Sequence, residues 1–239
     1  MNYRFLDLGK LLIFFIISTQ TTAFAKGIAE AKWVKDNSEN KFVDKGIDIF
    51  IAPKYEHKSG IIPVKGVFKT DQNMGEILAA LQNEKYTSEW LSFVSKSKTL
   101  EKSNSHAVLY RRFQKIWPFK ARDIVFKTKT EFNHSAKSLT FRSQSVKHPL
   151  APSVQDGDHR ANMIEAVLVV SGKSKYDSTV VFHSHMDYGG WIPSALQKKK
   201  QMERMADYLY SLKSFVEKKN IPLNRDLRGL NIILFTERD

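Results

Sequence analysis

The sequence predicts an α+β domain in which a curved antiparallel sheet is closed on its hollow face by one long C-terminal helix, over an internal cavity. Three observations predict it. Short segments of alternating apolar and polar residues follow one another, joined by turn-rich pieces too short for parallel crossovers, so the sheet should be antiparallel and consecutive. From Ser194 to about Lys219 no Gly or Pro interrupts the chain. Ala195, Met202, Met205, Ala206, Leu209, Leu212, Phe215 and Val216 recur there at helical spacing and make one apolar stripe. Between strands and helix, Asp187-Tyr188-Gly189-Gly190-Trp191-Ile192-Pro193 lets a strand end turn sharply, and Pro193 suits a first helical turn. At ~1.5 Å per residue the helix is about 37 Å long, enough to cross a small domain. It must lie on something, and the segments before it are mostly strands.

In chain order, Ile28 to Val34 has helical spacing with Trp33 on its apolar side, which predicts a short leading helix. Ile47, Ile49 and Ile51 alternate with Asp48, Phe50 and Ala52; Val64, Gly66 and Phe68 alternate with Lys65, Val67 and Lys69. These make a hairpin around the polar loop Lys54 to Gly60. Asp71 or Asn73 can cap a helix carrying Ile77, Leu78 and Leu81, and Ser88 can cap another carrying Trp90, Phe93 and Val94. Strands resume at His106 to Ile116, Asp123 to Asn133, Ser138 to Val146, Arg160 to Val170 and Thr179 to Asp187. Lys147 to His159 fits no regular element, and the tail 220–239 is either a small extra strand or an irregular end.

The 239 residues are 42% apolar and 26% charged, which suits one domain of about 200 residues once a leader is removed. Arg4 and Lys10, the short apolar run Leu11 to Ile17, and Ala23-Phe24-Ala25 read as a signal peptide, 1–25, cleaved near Ala25. The domain is then 26–239, exported and either periplasmic or secreted. The absence of cysteine excludes disulfides, thiol catalysis, a Cys-based zinc site and a lipidated cysteine. A net charge of +13 calls for an acidic partner such as an anionic membrane surface or polymer. No nucleic-acid motif is visible, and a monomer is expected.

Three features, in this order, resemble the START family, the lipid-transfer domains related to the steroidogenic acute regulatory protein. They are Trp90 on a helix after the first hairpin, Trp117-Pro118-Phe119-Lys120-Ala121-Arg122-Asp123 entering a strand, and Asp187 to Pro193 entering the last helix. Ile116 and Tyr188 stand where the family has prolines, which alters loop stiffness more than chemistry. The resemblance covers about Gly27 to Lys219. It implies a helix-grip fold, a tunnel for one lipid or sterol, a final helix acting as lid, and no catalysis or cofactor.

His183, His185 and Asp187 share one strand face, a spacing that could ligate zinc or iron. The plainer reading is a wet outer face ending in an Asp-capped turn, so no metal is expected. Arg122 and Asp123 are adjacent on a strand and point to opposite faces, which suits structural pinning better than joint acid–base work. Glu165 lies between Met163 and Val167, and Arg112 shares a face with Val108 and Tyr110. Either could be the polar end of a tunnel, or lie on the outside. The helix should meet ligand through Met202, Met205, Leu209 and Leu212. Lys198, Lys199 and Lys200 on its outer face should dock on anionic membranes. The reading is a non-catalytic protein that binds, and transfers, one hydrophobic ligand. Its alternative is a hydrolase or isomerase in the same hollow, working through His183, His185 and Asp187, with or without a metal, or through a Glu165 acid. A secreted binder of anionic polymer is a third reading, carried by charge alone.

Overall fold

The computed structural model describes residues 27–36, 42–103, 105–115, 120–155, 157–174 and 176–222. The expected signal peptide 1–25, Trp117 to Phe119 of the Trp-Pro motif and the tail beyond 222 lie outside them. Ten strands form one sheet: β1 Val34–Lys35, β2 Ile47–Ile51, β3 Val64–Thr70, β4 Val94–Lys102, β5 His106–Phe113, β6 Arg122–Asn133, β7 Ser138–Ser145, β8 His159–Arg160, β9 Asn162–Ser174 and β10 Asp177–Asp187. The helices are α1 Met74–Gln82, α2 Glu84–Trp90 and α3 Ser194–Lys218. Spatial order is β1-β2-β3-β10-β9-β7-β6-β5-β4. Every neighbouring pair on that path is antiparallel; two-residue β8 alone runs parallel, beside the start of β6.

The last helix forms where its spacing demands and lays its apolar stripe on one end of the sheet. Met202, Met205, Ala206, Leu209, Leu212 and Val216 are buried against Ile47, Ile49, Val64 and Phe68 of β2 and β3. Backbone and helix approach so closely that Gly66 has no room for a side chain: a Cβ there would lie 2.3 Å from Leu209 Cδ1. Phe42 stacks on Tyr210 at 4.2 Å between centroids and closes the far side. Helix α1 is started by a reciprocal capping box, Asn73 Oδ1 accepting from Gly75 N at 2.7 Å while Glu76 accepts from Asn73 N. Trp90 donates its indole N–H to Ala80 O at 3.1 Å and plugs the α1–α2 corner.

Two local expectations fail for physical reasons, and the irregular stretch after β7 finds its place. The leading segment is only a 3-10 turn, Ile28–Glu30, followed by extended chain, because the Ile28 N–H is drawn to Glu165 and its side chain is wholly buried. Helix α2 is capped by Asn83, which accepts from Lys85 N at 3.0 Å, and ends at Trp90; Ser88 lies inside it. Phe93 and Val94 therefore leave the helix, and β4 is a strand the alternation did not reveal. Residues 147–155 and 157–160 run over the convex face, where Ala151 covers Leu100, Val108, Tyr110 and Val125. Asp123, 2% exposed, holds this strap by a two-pronged bond to Arg160, both contacts 2.8 Å.

Candidate functional site

A cavity of about 1640 Å³ lies between the concave face of β4–β7, β9 and β10, the flank of α3 and the α2–β4 junction. Its floor is mostly apolar: Leu109, Phe113, Ile124, Phe126, Met163, Ala166, Leu168, Phe182 and Met186 line it, with Arg111, Thr128 and Ser184 among them, alternation being interrupted only at the irregularity where Glu165 and Met163 face His185 and Met186. Ser95, Lys96, Ser97, Lys102 and Ser103, all exposed, form its rim, so the hollow opens toward solvent along β4.

The roof is different in kind. With its apolar stripe committed to β2 and β3, α3 turns a neighbouring row toward the cavity: Gln197, Gln201, Arg204 and Tyr208, one helical turn apart. Gln201 is 4% exposed, and neither its amide nitrogen nor its oxygen has a partner. Gln197 Nε2 is buried without one as well. Opposite them Arg111 lines the cavity from β5, its Nε without a partner and its guanidinium 5.5 Å from the Phe126 ring. Burial pushes the Arg111 guanidinium below its ordinary value. Burial also raises the Tyr208 hydroxyl to about 12 against the pull of Arg111, and Tyr188 to about 12 against Arg204 and Arg122.

Of the residues singled out from sequence, Met205 lines the cavity. Met202, Leu209 and Leu212 belong to the core between α3 and the β2–β3 hairpin. Arg112 points to the convex face and pairs with Asp158 at 2.5 Å. Glu165 is also outside, accepting from Ile28 N at 3.0 Å with Arg142 at 3.9 Å. The concave side of β5 carries Leu109, Arg111 and Phe113, so the arginine that faces inward is the neighbour of the one chosen. Lys198 meets Asp36 at 3.6 Å, Lys200 meets Glu203 at 2.7 Å and lines the cavity, and Lys199 is exposed. The three lysines are thus spread around the helix.

His183 and His185 share a face, as alternation requires, but it is a dry convex face and not a wet one. They are 8% and 0% exposed, beneath Trp33 at 5.3 Å from His183, and Tyr55 and His57 at 5.6 and 4.8 Å from His185. Burial lowers both imidazoles to about 4. Asp187 accepts from Gly189 N at 2.9 Å, the capped turn. Among the described residues no group of three His, Asp or Glu is arranged to hold a metal. Arg122 and Asp123 do point opposite ways: Arg122 donates to the carbonyls of Tyr188 and Gly189 at 3.2 and 3.4 Å, tying the start of β6 to the turn before α3.

Sequence reasoning missed Arg111, Gln197, Gln201, Arg204 and Tyr208. The signal was present as a polar row at spacings of four, three and four beside the apolar stripe.

An open curved sheet gripping one long helix around an amphipathic hollow defines a helix-grip ligand-binding protein. The START domain family model matches residues 21–220, and the chain belongs to that family, whose members bind hydrophobic lipid ligands. Solved structures show the same fold. Human StAR-related lipid transfer protein 5 superposes with a TM-score of 0.68 at 14% identity, over 82% of this chain and 91% of that one. Human STARD10 gives 0.68 at 16%, over 85% and 79%. The STAR-related lipid transfer protein of Xanthomonas axonopodis, a fragment, gives 0.63 at 19%, over 77% and 98%. No curated protein sequence matches.

Proposed function

We propose that the protein binds one lipid, sterol or comparable hydrophobic molecule in this cavity, without catalysis, and transfers it between membranes. The observation that carries the reading is the volume and lining of the hollow: an apolar floor long enough for an acyl chain or ring system, beside a few inward polar groups. The His183 and His185 pair supports no competing chemistry in the cavity, because it lies behind the sheet. The test is mass spectrometry of organic extracts of the purified protein, with Ala166→Phe, which fills the floor, as comparison. A stoichiometric lipid lost in the variant supports the reading; an empty wild type that also takes up no added lipid overturns it.

Release of ligand calls for a membrane encounter. Trp191, 89% exposed, projects from the turn before α3, a residue type that settles at the lipid–water interface. Exposed Lys199 and the basic balance of the chain would add about 1 kcal/mol per lysine near an acidic surface. Wild type should co-sediment with anionic vesicles at low salt, and Trp191→Ala together with Lys198, Lys199 and Lys200→Gln should not. Equal binding by the two would refute this docking face. The leader 1–25 supports export to the periplasm or beyond; an unprocessed N-terminus on protein from an exporting host would refute it.

A further inference from the structure

Charge is distributed unevenly around the cavity. Lysine and arginine side chains recur in its lining, while Glu84 is its single carboxylate among the described residues. Glu84 sits at the rim, exposed, and accepts from Thr99. Lys200 and Arg204 have acidic partners one helical turn away, Glu203 at 2.7 Å and Asp207 at 3.8 Å. Arg122 is engaged by backbone carbonyls. Arg111 is half-buried with its Nε wholly enclosed and unpartnered, its guanidinium over the Phe126 ring; Glu84 acts on it electrostatically from the rim, but no carboxylate is hydrogen-bonded to it among the described residues. A guanidinium cannot shed its proton, so removing it from water without a counter-charge is costly.

The cavity that Arg111 lines holds further donors. Tyr208 is close enough for Arg111 to act on its hydroxyl electrostatically, and Gln201 presents an amide nitrogen with nothing to bond. An uncharged hydroxyl could occupy one of these groups but would leave the positive charge unbalanced. A carboxylate or phosphate accepts from a guanidinium fork in two places and neutralises it at once. We infer that the ligand is an amphiphile with an anionic head, carboxylate or phosphate, seated on Arg111 with Gln201 and Tyr208, its apolar tail lying along Phe126, Met163 and Leu168. The inference rests on the cavity being a ligand site and names the class of molecule that fits it.

The test compares four probes that share one acyl chain: oleic acid, oleoyl lysophosphatidic acid, oleyl alcohol and monoolein, each titrated against delipidated full-length protein by calorimetry. At least one acid should bind about tenfold or more tighter than both neutral probes, and the better of the two acids identifies the head group. In Arg111→Gln that advantage should shrink to about twofold, the acids losing far more affinity than the neutral probes. Gln201→Leu should weaken acids and neutral probes by similar, smaller factors, since either kind of head can bond its amide, and should leave the advantage of the acids in place. If Arg111→Gln does not fold, the comparison among probes on wild type still decides. Acids and neutral probes bound equally would overturn the anionic head and leave the cavity reading intact. None of the four bound would overturn the cavity reading itself. Selectivity for acids that survives in Arg111→Gln would overturn the assignment of Arg111.

Discussion

Replacing Gly66 by Ala tests how tightly α3 is seated. The added methyl would meet Leu209 Cδ1 at 2.3 Å, Met205 Cγ at 2.8 Å and Met205 Sδ at 3.1 Å. Carbon atoms rest at ~3.5–4.0 Å, so the first contact is more than ~1 Å short. Leu209 is 0% exposed and Met205 4%, so neither side chain can swing to water; the helix must lift or both must leave their rotamers. Overpacking costs about 1–3 kcal/mol, and a contact this short against buried side chains belongs at the upper end, about 2–3 kcal/mol. The strand regains about 0.5–1 kcal/mol because alanine loses less backbone freedom than glycine. The net loss should be about 1–2 kcal/mol, or a fall in Tm of about 2–8 °C for a domain of this size. Urea unfolding followed by circular dichroism gives the number. The double variant Gly66→Ala/Leu209→Ala supplies the control, because removing Cδ1 relieves the clash and the two losses should fall short of their sum. Strict additivity, or a loss below about 0.5 kcal/mol in Gly66→Ala, would refute the close seating and with it the reason α3 turns its polar row to the cavity.

Arg160→Ala strands the Asp123 carboxylate, 2% exposed, on the convex face; it should cost about 3 kcal/mol in urea unfolding, and Asp123→Asn in the same background should recover part of it. His183 and His185 have folded values near 4 against an ordinary 6.5. The folded state thus keeps both neutral while the unfolded chain takes up protons, so stability is full above pH 6.5 and is lost as pH falls toward 4. Each ring contributes up to about 3 kcal/mol. Lys65 and Arg142 face His183, and His57 and Asp187 face His185. Urea midpoints at pH 7 and 4.5 should differ far less in His183→Gln/His185→Gln than in wild type. Trp90→Phe removes the indole bond to Ala80 O and leaves that carbonyl buried; it should cost about 1–3 kcal/mol, read as a thermal shift.

What was legible in the sequence was whatever rests on local periodicity. Helix α3 and strands β2, β3, β5, β6, β7, β9 and β10 follow from spacing, and the Asp187 to Pro193 turn from its glycines, of which Gly189 and Gly190 both adopt left-handed φ. Strand β4 escaped because Val94 to Lys102 buries only Leu100 among polar neighbours. An exposed edge strand at the rim of a hollow has no apolar side to show. The inward residues escaped for another reason. Along β5, Val108 and Tyr110 are as apolar as Leu109 and Phe113, so alternation sorts the two sets without saying which is concave. Arg112 and Glu165 were chosen from the face that turned out convex, since the strap around Ala151 and the segment around Ile28 supply a second apolar layer there. The helix was read through its apolar stripe, on the premise that ligand meets the greasiest side, whereas that stripe is consumed by the sheet.

The width of the sheet explains why a hollow remains at all. Nine strands on one path, at ~4.8 Å apart, would span roughly 38 Å if flat, whereas a helix with its side chains is ~10–12 Å across and covers two or three strands. Helix α3 spends its coverage on β2, β3 and the adjoining β10, and α1 packs at one end of β9. The concave faces of β5, β6 and β7 are left without a protein layer even though Leu109, Ile124, Phe126 and Phe141 point that way. Apolar surface left to water is unfavourable by about 25 cal/mol per Å², so this half of the sheet is stabilised by whatever apolar molecule lies on it. The polar edge of α3 bounds the same space, and a molecule with two unlike ends satisfies both walls at once. On the function proposed above, the ligand completes the core on its apolar side and meets Arg111 and Gln201 on the other.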